Sequence, residues 1–173
     1  MKCKASPGPA SRLAHDEGGG PLAEFALVLP LLLVIVFGTM EFANVLYQQH
    51  IITKGAQEAA RFAARSPALV TSTSCSPTGS DWTAATTAAA NIAATGRTSG
   101  GTQIMPNLSA ADVTITVECP ASSGLISSNP DSGAIPVVLA TVSIDYRSLG
   151  FLTLLNLSDF SLSAQHREMG VGL

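Results

Sequence analysis

Along the chain, polar and apolar positions alternate between three regimes. A polar leader ends in Gly18-Gly19-Gly20. Pro21-Leu22-Ala23-Glu24 follows, and then residues 25–40 carry no charge at all. With Leu22, Ala23 and residues 42–47 added, this is long enough for a helix that crosses a bilayer, which needs about 20 residues. Glu24 and Glu41 bracket the hydrocarbon, roughly 25 Å apart on a helical rise of about 1.5 Å per residue. Pro30 removes one helical hydrogen bond and crowds the carbonyl of Ala26, which a membrane helix tolerates as a kink. Tyr47 suits an interface.

The helical pattern runs on from Gln48 to Arg65. Lys54–Glu58 and Glu58–Arg61 stand four and three residues apart, a spacing that suits a solvated face. Ala56, Ala59, Ala60 and Ala63 form a stripe of small side chains with Ile52 and Phe62 near it. Ser66-Pro67 ends the helix, because the residue before a proline avoids helical dihedrals. One helix over 22–65 would measure roughly 65 Å. Two readings of its stripe stand: it packs on its own domain, or it is a shaft that packs against copies or relatives.

Beyond residue 66 the pattern changes again. Residues 68–80 are rich in Ser, Thr and Pro and read as a loop that holds Cys75. Ser80 or Asp81 can cap a helix to about Thr95, with Gly96 as its stop and Trp82 as an anchor. Residues 97–103 read as a glycine-rich turn. Alternating runs at 113–117, 137–146 and 160–167 read as three strands, joined by a polar loop at 120–136 and an apolar connection at 149–157. The expected fold is α+β: a long amino-terminal transmembrane helix leading into a small domain with a second helix and a three-stranded antiparallel sheet. The expected divisions are a cytoplasmic leader (1–19), the membrane helix with its extension (20–66) and an extracytoplasmic domain (67–173).

Composition supports an anchored chain of modest size. Of 173 residues, 46% are apolar and only 12% charged, and the net charge of −3 suggests no nucleic-acid partner. A cleaved secretory signal would have a shorter apolar region with small residues after it, whereas here the glycines precede a longer run. Lys2, Lys4 and Arg12 favour a cytoplasmic amino end, although Lys54, Arg61 and Arg65 follow on the other side. With Cys3 in the leader, Cys75 and Cys119 remain as an even pair in a compartment that permits disulfides. The alternatives are a bridge or two buried thiols.

No catalytic or cofactor constellation emerges, and no small-molecule substrate is implied. His50 and His166 are far apart, without the spacing of metal ligands, and no phosphate-cradling glycine motif is present. Asn107-Leu108-Ser109 and Asn156-Leu157-Ser158 match a glycosylation pattern that often arises by chance.

Three blocks together resemble the TadE-like family of tight-adherence (Tad/Flp) pilus assembly proteins, which are minor pilins or pseudopilins. They are Ala23-Glu24-Phe25-Ala26-Leu27-Val28-Leu29-Pro30, then Gly38-Thr39-Met40-Glu41-Phe42, then Ala56-Gln57-Glu58-Ala59-Ala60-Arg61-Phe62-Ala63. Residues 162–167 loosely resemble the family's last strand. The resemblance implies a non-enzymatic role in pilus assembly, with a prepilin peptidase, other pilins and the Tad secretion machinery as partners in a bacterial cytoplasmic membrane. It also implies cleavage by the peptidase after Gly19, leaving Gly20 as the new amino end and Glu24 as the fifth mature residue. Cleavage after Gly20 remains the alternative. Glu24 and Phe25 fall on positions tied to assembly and register. There Glu24 would pair with the free amino group of a neighbouring subunit, since an unpaired charge in a dry site is costly. The plainer reading puts Glu24 at headgroup level in the first helical turn. Glu41 divides likewise, between a family position and an acid at the membrane edge. Against the pilin reading stands a single-pass anchored binding or scaffold protein with no pilus role.

Overall fold

The computed structural model describes residues 19–70, 77–119, 136–157 and 160–170. Contacts divide the chain into a unit that ends at Met40 and a second unit, Glu41–Leu173. Helix α1 (Gly20–Ala64) begins in the first and ends in the second.

The first unit is helical from Gly20 onward and continues through Pro30. Its large side chains, from Leu22 through Phe37, are exposed. An apolar helix buried in a soluble core would hide such side chains. This one hides none of its most hydrophobic window and is long and apolar enough to cross a membrane. Thr39 does not interrupt it, because its hydroxyl donates back to the Val36 carbonyl at 2.9 Å.

The second unit holds the rest of α1, then α2 (Pro67–Val70), α3 (Ser80–Thr95), a 3₁₀ turn (Ala110–Asp112), β1 (Val113–Glu118), β2 (Val137–Asp145), α4 (Phe151–Leu154) and β3 (Ser161–Met169). The sheet is antiparallel in the order β1-β2-β3, and the fold is α+β as the pattern predicts. Val142 pairs with Val113 on one side and Ala164 on the other, and Ala140 with Ile115 and His166. Because side chains alternate across a strand, this register puts Val138, Ala140, Val142 and Ile144 on one buried face with Val113, Leu162 and Ala164.

Against that core lies the small-residue stripe. Ala56, Ala59, Ala60 and Ala63 are buried, as are Ala89, Ala90, Ala93 and Ala94 of α3. A Cβ on Gly55 would stand 3.0 Å from the Ala93 carbonyl oxygen, so the two helices meet nearly backbone to backbone. The stripe therefore packs within its own unit.

Some local features differ from the pattern's expectation. The N-cap of α3 is Gly79 and makes no side-chain capping bond, in place of Ser80 or Asp81. Gly96 does end the helix, in the left-handed conformation (φ 73°). The 149–157 connection contains α4, and α2 starts directly after the helix stop at Ser66. The polar loop at 120–136 lies almost wholly outside the described residues, and so do Cys75 and the leader through residue 18.

Candidate functional site

Two places carry the chemistry singled out in the sequence. The first is the entrance to α1. Gly19 and Gly20 are exposed, and a Cβ added to either would meet nothing within 4 Å. Among the described residues no close approach demands glycine at either position. Glu24 and Phe25 are exposed, one turn into the helix. Glu24 is its fifth residue, just past the first turn over which the helix dipole acts.

The second place begins at Glu41, which is 2% exposed. Its carboxylate accepts from the Ser148 hydroxyl and from the Leu149 amide, the latter at 3.1 and 3.2 Å to its two oxygens. Three and seven residues on, on the same helical face, Asn44 and Gln48 continue the grip. Asn44 Nδ2 donates to the Arg147 carbonyl at 2.9 Å and Gln48 Nε2 to the same oxygen at 2.8 Å, while the Arg147 amide returns a bond to Gln48 Oε1 at 3.3 Å. Gln49 Nε2 reaches the Ser163 carbonyl on β3 at 3.0 Å. Three polar side chains of one helix segment thus satisfy the backbone where β2 ends and the 149–157 connection begins, and a fourth, Gln49, holds β3.

Tyr146 completes this cluster. It stacks on Phe160 with centroids 4.6 Å apart, and its hydroxyl accepts from Asn44 Nδ2 at 3.1 Å. Burial pushes the phenol above its ordinary value of 10.0; the Asn44 bond works against this and the nearby Glu41 charge with it. Sequence reasoning found Glu41 and included Tyr146 at the end of the 137–146 run, one residue past the observed end of β2. It missed Asn44, Gln48 and Ser148. The Glu41, Asn44, Gln48 spacing was the available signal, but nothing local names the partner.

Other features offer less. A cleft of about 870 Å³ between the end of α1 and α3 is floored by Phe62, Ala85 and Ile92, with Arg61, Arg65 and Asp81 around it. Among the described residues its lining includes no histidine or cysteine. On β3, His166 Nε2 lies 3.2 Å from Glu168 Oε2. Among the described residues no group of three or more His, Cys, Asp or Glu side chains could hold a metal ion. Cys119 sits half-buried directly after β1, and its proposed partner Cys75 lies outside the described residues.

Residues 22–61 match the family model for TadE-like protein. The match covers less than half of the chain. Comparison with curated proteins and with solved structures gave no match. The TadE-like stretch falls inside α1 and contains Glu24, Phe25, Glu41, Asn44, Gln48 and all of the alanine stripe except Ala63. It stops short of the sheet, so both the exposed apolar segment and the gripping segment belong to the recognised part of the chain.

Proposed function

We propose that this protein is a membrane-anchored minor pilin or pseudopilin that takes part in assembling a Tad-type pilus. The observation that carries the reading is the TadE-like match on a helix whose apolar side chains its own fold leaves uncovered. Lipid covers such a surface before assembly, and neighbouring helices can cover it afterwards.

The glycines fit a processing role. Among the described residues no atom requires glycine there, and a recognition sequence for a prepilin peptidase would account for them in the uncut chain. Cleavage after Gly19 makes Glu24 the fifth residue, one helical turn from the new amino group. A carboxylate there can pair with the amino end of an adjacent subunit and set axial register. The sheet domain would then lie outside the cytoplasmic membrane, with the leader inside.

Amino-terminal sequencing of the protein from membranes with an active prepilin peptidase tests this. The expected first residue is Gly20. An intact Met1 end would overturn the processing and favour an anchored scaffold instead.

A further inference from the structure

The connection between β2 and β3 has no place in the pilin reading, yet it exposes four leucines. Ser148 to Ser158 contains no charged residue. Within it Leu149, Leu154, Leu155 and Leu157 are 58%, 82%, 51% and 60% exposed. These are not loose side chains on an unformed loop. Gly150 takes a positive φ of 122° to open α4, the Leu154 amide donates to the Gly150 carbonyl at 3.1 Å, and the Leu157 amide donates to the Leu152 carbonyl at 2.9 Å. Leu152 turns inward and packs against the core. The backbone is ordered so that one leucine points in and four point out.

We propose that this leucine turn is a second membrane contact, lying in the interfacial layer of the same bilayer that α1 crosses; the proposal rests on α1 being a span. Chain continuity argues for lipid. Leu22 to Met40, at about 1.5 Å per residue, covers about 28 Å, close to the roughly 30 Å of a hydrocarbon core. The next residue is Glu41, and its carboxylate holds Ser148 and the Leu149 amide. The turn therefore starts at the residue that follows the span. The composition also favours lipid over a protein partner. The exposed large side chains from 149 to 157 are leucines, with none of the Trp, Tyr or Arg anchors that dominate protein interfaces. Arg147, exposed at the head of the turn, suits the phosphates at headgroup level. A cluster of exposed aliphatic side chains beside a charge-free backbone turn is what a monotopic contact needs.

The test uses the full chain in vesicles of phosphatidylethanolamine and phosphatidylglycerol, with Leu154→Trp and, separately, Leu157→Trp. Both sites are exposed, so neither variant disturbs the core, and the parent chain supplies the Trp82 background. The expected result is added blue-shifted emission, lost when the lipids are brominated near the headgroup. Emission that stays red-shifted and yields to acrylamide but not to bromolipid would overturn the proposal. Shielding from both quenchers would also overturn it, since a protein surface or second copy would then cover the turn. Alkaline carbonate extraction run alongside separates the two readings. Retention without bromolipid quenching defeats the leucine turn alone, and release into the supernatant defeats the span as well.

Discussion

The Leu149 amide donates to both oxygens of the Glu41 carboxylate, at 3.1 and 3.2 Å, across 108 residues of sequence. A nearly fully buried acid is costly unless its oxygens are satisfied. Here two backbone contacts and the Ser148 hydroxyl satisfy them. Glu41 thus serves as a clasp that holds the β2–β3 connection to α1.

Removing the clasp should loosen the connection first. Glu41→Ala leaves the Leu149 amide without its acceptor, a loss of about 1–3 kcal/mol. Glu41→Gln keeps one acceptor oxygen and should lose less. Thermal unfolding in detergent gives the stability change, and limited proteolysis should show faster cutting at 148–157 in the alanine variant. Equal protection in variant and parent would count against the clasp.

Gly55 and Gly38 should respond oppositely to enlargement. Gly55→Val pushes a branched side chain into the Ala93 backbone and should cost about 1–3 kcal/mol by overpacking. Gly38→Val meets nothing within 4 Å and should leave the melting temperature of the folded domain unchanged. Measured together, the pair separates close helix approach from general intolerance of glycine replacement.

Tyr146 should ionise at higher pH than an ordinary phenol. Its pKa is raised by burial, so the neutral form is favoured in the fold. The associated stability is complete below the unfolded phenol's pKa and is lost as pH rises through the raised folded value. Ultraviolet titration should show a late-ionising tyrosine that Tyr146→Phe removes. Ionisation of this residue at or below the ordinary value would contradict the burial argument.

A Cys75–Cys119 bridge should appear as one linked pair in non-reducing peptide mapping. On the loop-entropy account it restricts the unfolded chain by roughly 4 kcal/mol. Reduction should therefore lower the stability of the sheet domain without releasing the anchor. Alkylation of both thiols in native material would eliminate the bridge.

Glu24→Ala should separate insertion from assembly. Losing a charge at the edge of the apolar run leaves insertion unchanged or easier. Losing a charge-assisted contact in a dry subunit interface typically costs a few kcal/mol. The variant should reach the membrane in normal amount yet fail to crosslink to pilus components or support piliation. Normal piliation would return Glu24 to a headgroup-level acid.

Much of the fold was legible in local pattern. The alternation at Val138, Ala140, Val142 and Ile144 marked one buried face, because side chains of a strand point to opposite sides. Gly96 marked the end of α3, because only glycine takes the left-handed cap without strain. The uncharged run after Glu24 marked an apolar helix. The small α2 and α4 turns were not legible, since each has too few residues to show a period.

By itself, then, the sequence determined which stretches form helix or strand and which of their faces avoid water, because period and composition act over a few residues. Only tertiary structure decided what those faces meet. The alanine stripe could pack on its own domain or on another chain; the approach of Gly55 to Ala93 shows where it packs. From sequence, Glu41 stood between a family position and an acid at the membrane edge; the connection that supplies Ser148 and Leu149 gives it protein donors. A buried carboxylate needs donors of any origin, and local pattern cannot name donors more than a hundred residues away. Strand register and the turn after β2 bring those donors to it.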